Sequence, residues 1–162
     1  MYGTALTLMM KTKLFFTSNG CLQIFESDDR LYEILLDGDP LAEGDSSELL
    51  EETKGLLKDY FNGDSVNFGR LSLDLSGYTE FQRDVLEAVA SIPSGEVRSY
   101  KQVAEMVGRP RAYRAVGNAV GNNRTPIVIP CHRVVRSDGS IGHFGGGARL
   151  KRFLLRLEGA LD

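Results

Sequence analysis

The chain has 162 residues, 42% of them hydrophobic and 25% charged, with a net charge of −3; this supplies one ordinary core or two small ones and argues against disorder. No stretch approaches the roughly 20 apolar residues of a membrane helix, and the opening MYGTALTLMMKTK lacks the charged leader and small-residue cleavage site of an export signal. A cytoplasmic protein with no membrane partner is expected, with Cys21 and Cys131 as free thiols.

The first half reads as a small sheet with one helix. TALTLMM is a candidate strand, and KLFFT and CLQIFE flank Ser18-Asn19-Gly20. An Asn-Gly pair between apolar runs predicts a hairpin, because both residues tolerate positive φ. Cys21 falls in the second of these strands and is expected to be buried. After an acidic loop around 37–45, Leu49, Leu50, Thr53, Leu56, Leu57 and Tyr60 recur at helical spacing, with Asp45 or Ser46 as N-cap. The leucine face of that helix is expected on the sheet. Leu71, Leu73 and Leu75 alternate like a half-buried strand, and Ser76-Gly77 suggests a boundary between domains 1–76 and 77–162.

The second half reads as mainly helical, with well-marked starts. Thr79 and Gln82 form a capping box ahead of Phe81, Val85, Val89 and Ile92, and Pro93-Ser94-Gly95 ends that helix. Ser99 and Gln102 form a second box, opening a helix from Tyr100 to Val107 that Gly108 terminates. Pro110 suits the first turn of the next helix, Arg111 to Val120. The pair looks like a helix-turn-helix, its second helix carrying Arg111 and Arg114 opposite a core-facing stripe of Tyr113, Val116 and Val120; an ordinary packed pair fits the same pattern. The loop GNNRTPIVIPCHRVV contains a buried-looking Ile127-Val128-Ile129 run between Pro126 and Pro130. A Ser-Asp-Gly turn, three glycines and a last helix with Leu150, Phe153, Leu154 and Leu157 on one face complete the chain.

Charge is divided unevenly between the halves. Residues 1–76 carry 6 Lys or Arg against 14 Asp or Glu, whereas residues 77–162 carry 13 against 8. Within 98–124, Arg98, Lys101, Arg109, Arg111, Arg114 and Arg124 face Glu105 alone, a local field that attracts phosphates. Cys131 stands between Pro130 and His132-Arg133. A thiolate is the nucleophilic form of cysteine, and an adjacent imidazole or cation removes its proton or lowers its pKa. Glu158, at the C-terminal end of the last helix, faces the negative pole of the helix dipole and needs a compensating partner. His132 is the candidate: a carboxylate on one ring nitrogen fixes the tautomer and raises the basicity of the other.

Pro130-Cys131-His132-Arg133-Val134, with Tyr100, Arg114-Ala115-Val116-Gly117, Asn123 and Glu158, resembles the O6-alkylguanine-DNA alkyltransferases, or methylated-DNA–protein-cysteine methyltransferases, over about residues 78–160. The resemblance implies an α/β (α+β) fold, with a ribonuclease H-like sheet-plus-helix domain followed by a mainly helical DNA-binding and alkyl-acceptor domain. It implies a stoichiometric, irreversible transfer of an alkyl group from O6 of guanine, with O4 of thymine as a further candidate, to Cys131 without cofactor. Cys131 is then the acceptor, activated through water by His132, which Glu158 holds. Arg114 takes the place of an everted guanine, flanked by Arg111 and Ala115 as DNA contacts, and the Tyr100 hydroxyl assists the base. Asn123 pins the turn ahead of Cys131, and backbone groups of Cys131 and Val134 read the guanine edge. The implied partner is double-stranded DNA carrying O6-alkylguanine; a monomer is the default expectation.

The sequence departs from the family pattern at three places. Phe144 stands where a tyrosine is expected over the pocket, and Gly145 where some relatives have serine. No histidine precedes His132, so the zinc site of some relatives' N-terminal domain is not expected. His143 has no assigned role and reads as a surface or packing residue. Two other functions compete with transfer: a sensor that holds the lesion without reacting, which in relatives lacks the acceptor cysteine, and a helix-turn-helix regulator, which requires sequence preference.

Overall fold

Two antiparallel hairpins begin the structure, a computed structural model that describes residues 10–36, 39–40 and 42–162. Strands β1 (Lys11–Thr17), β2 (Gly20–Ser27) and β3 (Arg30–Leu36) pair in the order β1-β2-β3. The first turn differs from expectation: Ser18 and Asn19 form it at negative φ, and Gly20 alone takes a positive value, 123°. The second turn and all of β3 escaped the sequence reading. Asp28 and Asp29 both sit at positive φ, 50° and 57°, the geometry that a tight two-residue hairpin demands and that aspartate tolerates. The candidate strand TALTLMM falls largely outside the described residues.

Helix α1 (Glu48–Phe61) packs over all three strands through Leu50, Thr53, Leu57 and Tyr60. Its N-cap is Ser47, not Asp45 or Ser46: the Ser47 hydroxyl accepts from Leu50 N–H and donates to the buried Glu26 carboxylate of β2. That position lets one side chain satisfy the helix end and a buried charge. Cys21 is half-buried rather than buried. Leu71, Leu73 and Leu75 form no strand; a single bridge joins Leu73 to Leu31, flanked by Leu31 N–H to Ser72 O at 2.8 Å and Asp74 N–H to Leu31 O at 2.8 Å. The first compact unit ends at Asp74 and the second starts at Leu75, two residues before the expected boundary.

The second unit holds four helices. Helix α2 (Glu80–Ala90) begins with the Thr79–Gln82 box and buries Val85 and Val89. A two-residue strand, β4 (Arg98–Ser99), runs directly into α3 (Tyr100–Met106), whose Ser99–Gln102 box is formed in both directions. Gly108, at φ 71°, turns the chain. Helix α4 spans Tyr113–Gly121, two residues later than predicted, so Pro110 and Arg111 lie in the preceding turn. Tyr113 is 47% exposed and is not part of the core stripe, which consists of Val116, Ala119 and Val120. The last helix, α5 (Gly147–Leu157), buries Leu150, Lys151, Leu154 and Leu155, whereas Phe153 and Leu157 are half-buried. No helix among the described residues is long and apolar enough to cross a membrane.

Candidate active site

Cys131 begins a single 3-10 turn, Cys131–Arg133, that leads into strand β5 (Val134–Val135). Parallel pairing of Arg98 with Val134 and Ser99 with Val135 sets the start of α3 beside the end of that turn. Tyr100 and Cys131, 31 positions apart in sequence, are thereby brought together. Upstream, Asn123 closes the 125–130 loop: its Nδ2 donates to Ile129 O at 2.9 Å, and its Oδ1 accepts from Thr125 N–H at 3.1 Å. Ile127 within this loop is buried at φ 72°, a left-handed conformation that a β-branched residue adopts only under constraint. The Asn123 bonds and the buried Ile127-Val128-Ile129 run supply that constraint, so the backbone entering Cys131 is rigid.

The His132 imidazole is fully buried, and its Nε2 lies 2.8 Å from Glu158 Oε1. Arg133, by sequence one of two neighbours able to activate the thiol, serves the carboxylate. Arg133 Nε and Nη2 donate to Glu158 at 2.9 and 2.8 Å, and Nη1 donates to Ile92 O at 2.5 Å. The fork supplies Glu158 with cationic donors at a helix end whose dipole opposes a carboxylate, where the side chain is only 2% exposed. Burial lowers the His132 pKa, opposed by the hydrogen bond and charge of Glu158, so the ring rests neutral and able to accept a proton.

Burial also dominates at Cys131 and pushes its thiol pKa up, contrary to the lowering expected from its sequence neighbours; Asn123, Lys151 and local N–H groups act in the opposite direction. The resting sulfur is a thiol that needs a base. Lys151 is the residue that sequence reasoning missed. Its side chain is fully buried on α5, and its ammonium donates to Val134 O at 2.6 Å and His143 O at 3.4 Å. Desolvation lowers its pKa to about 8, while Cys131 pulls it back up. Helical periodicity treats a lysine as solvent-facing, and the one available signal was its place on the helix beside Leu150 and one turn before Leu154.

The Tyr100 ring lies against two glycines: a Cβ at Gly117 meets it at 3.9 Å, and one at Gly142 meets its hydroxyl at 3.2 Å. Burial, and then the Cys131 charge, push the Tyr100 pKa up, so the hydroxyl stays a donor. The Phe144 ring stands edge-on to His132, centroids 6.4 Å apart, and closes that side. Gly145 is exposed with space for a side chain, and the exposed His143 contributes its carbonyl. Val134 O accepts from Lys151, which leaves it one further lone pair. Among the described residues, no three His, Cys, Asp or Glu side chains gather as metal ligands.

Arg111, Arg114 and Ala115 are exposed around the start of α4. The basic field of 98–124 is thinner than its composition suggests. Arg124 stacks on Tyr78 at 4.4 Å and donates to Ser76 O; Arg98 pairs with Glu96; Arg109 lies over Phe81 at 5.5 Å. Lys101, Arg111 and Arg114 remain as exposed cations.

Residues 80–160, which carry every element of this site, match the family model described as 6-O-methylguanine DNA methyltransferase, DNA binding domain. The chain belongs to the methylated-DNA–protein-cysteine methyltransferase family. Among relatives of this methyltransferase, the one from Methanosarcina barkeri is 44% identical over 114 residues, 70% of this chain and 71% of that protein. The one from Methanothermobacter thermautotrophicus is 42% identical over 128 residues, 78% of this chain and 72% of that protein. The crystal structure of Mycobacterium tuberculosis O6-methylguanine methyltransferase superposes with a TM-score of 0.81 at 34% identity, covering 93% of each chain. A second, of Mycobacterium tuberculosis OGT in complex with DNA, gives 0.78 at 34% identity over 91% and 92% of the chains.

Proposed function

We propose that this methyltransferase repairs double-stranded DNA by moving an alkyl group from O6 of guanine, and also from O4 of thymine, onto Cys131, once per molecule. The observation that carries the reading is a buried thiol on a rigid turn whose next residue is a buried imidazole backed by a carboxylate at 2.8 Å. Helices α3 and α4 act as the helix-turn-helix, with the Arg114 side chain filling the gap left by an everted base and Arg111 and Ala115 against the backbone. The N-terminal unit is the ribonuclease H-like domain, and the protein works as a cytoplasmic monomer.

His132, polarised by Glu158, takes the Cys131 proton through a water; the sulfur attacks the alkyl carbon in line, a C–S bond forms, and the C–O6 bond breaks with its electrons going to guanine. The departing base takes up one proton, so the proton lost by the thiol is returned overall. Tyr100 donates a hydrogen bond to the base as negative charge develops on it. A thioether is stable and no group in the site regenerates the thiol, which makes the transfer a single turnover. The test is incubation with a duplex containing O6-methylguanine followed by intact and peptide mass measurement. One methyl group per molecule, located on Cys131, is expected. Tight binding with no adduct overturns transfer in favour of a sensor, and binding that depends on flanking sequence favours a regulator.

A further inference from the structure

We propose that Tyr113 is a further DNA-contacting residue of α4, one that stacks its ring on the nucleotide flanking the everted base; the inference rests on the functional reading above. Tyr113 is 47% exposed, and among the described residues of the second unit it is the only exposed phenylalanine or tyrosine. Exposure of this kind leaves a flat apolar ring in water, and it sits between two exposed arginines, Arg111 and Arg114. An aromatic ring interleaved with cations is the combination that holds a nucleic acid strand: the cations meet phosphates and the ring offers its face to any base.

The direction in which the ring stands comes from the helix. Residues 113 and 117 are one turn apart on the same face of α4. Gly117 is the point where that face meets the Tyr100 ring, with 3.9 Å to a Cβ built there. Tyr113 therefore continues, at the open end of the helix, the line that leads to the tyrosine beside the acceptor cysteine. Arg114 projects about 100° further round, from the neighbouring position. A strand that surrenders one base to the site and takes Arg114 in its place brings the next nucleotide against Tyr113. No side chain caps the start of α4, so its first turn also presents the positive end of the helix dipole to the phosphate of that nucleotide.

Tyr113→Ala and Tyr113→Phe are compared with the parent using a duplex that carries O6-methylguanine with 2-aminopurine as its immediate neighbour. Stacking interactions of this type predict about tenfold weaker binding for Tyr113→Ala, with loss of the fluorescence quenching that the parent produces. Tyr113→Phe binds within about twofold of the parent, because the ring and not the hydroxyl makes the contact. The salt dependence of Tyr113→Ala keeps the parental slope, whereas Arg111→Ala, which removes a backbone contact, loses about one unit of it. Equal binding by Tyr113→Ala and the parent, or equal losses in the alanine and phenylalanine variants, overturns the inference. A parent that binds and quenches but leaves Cys131 unalkylated overturns the transfer reading while leaving the stacking contact supported.

Discussion

Replacing Glu158 with glutamine removes one charge and almost no volume from the most enclosed polar cluster of the second unit. The carboxylate is 2% exposed and accepts from His132 Nε2 at 2.8 Å and from Arg133 Nε and Nη2 at 2.9 and 2.8 Å. In Glu158→Gln one oxygen becomes an NH2 group facing guanidinium donors, and the Arg133 charge is left without a counter-ion. Breaking one side of a buried ion pair costs about 3–5 kcal/mol. The Arg133 side chain is 12% exposed, so water offsets part of the loss and the lower end, about 3 kcal/mol, is expected. For a unit the size of Leu75–Asp162 this lowers Tm by at least about 12 °C. Transfer also slows, because His132 loses the partner that raises its basicity. Thermal unfolding followed by circular dichroism measures the first effect, and single-turnover alkylation the second. In the double variant Arg133→Met, Glu158→Gln the loss is smaller than the sum of the single losses by about 2 kcal/mol, as coupled residues require. A Glu158→Gln protein melting within about 3 °C of the parent, with an unchanged rate, refutes the clamp.

Two further perturbations address Lys151 and Tyr100. The folded-state pKa of Lys151, about 8, lies below its ordinary 10.5, so between those values the unfolded chain holds a proton that the folded one does not. Stability therefore rises with pH across that window, by about 3 kcal/mol from this group. Lys151→Met abolishes that rise, seen as a flatter difference in urea midpoints between pH 8 and 10, and slows alkylation at neutral pH by removing a charge that favours the thiolate; an unchanged pH slope counts against the buried ammonium. Gly142→Ala places a Cβ 3.2 Å from the Tyr100 hydroxyl at φ 70°, which displaces the ring and adds about 1 kcal/mol of backbone strain. Slower transfer and a Tm lowered by about 4 °C are expected, and a parental rate shows that Tyr100 acts from another position.

Much of the architecture was legible because its signals are local. The Thr79–Gln82 and Ser99–Gln102 boxes, the Gly108 stop and the 137–139 turn depend on side chains reaching backbone groups a few residues away, which spacing reveals. The Cys131-His132 motif and its distant Glu158 were readable through the family resemblance, and through the mismatch of a carboxylate with a helix C-terminus. Local rules misled where tertiary packing took over. Leu71, Leu73 and Leu75 alternate as a strand does, but only Leu73 finds a partner, so a bridge forms and no ladder. Tyr113 fits the core stripe by periodicity, yet α4 starts at that residue and the core stops short of it.

The sequence by itself determined where α2 and α3 begin, which cysteine has an imidazole beside it and which half of the chain carries positive charge. Tertiary structure alone decided how the charges were used: Arg133 went to Glu158, Arg124 to Tyr78, and Lys151 into the interior beneath Val134. The physical reason is that a cap is satisfied within one turn of chain. A buried charge, in contrast, takes whichever partner the packed chain sets within about 3 Å, and that distance is not written in sequence separation.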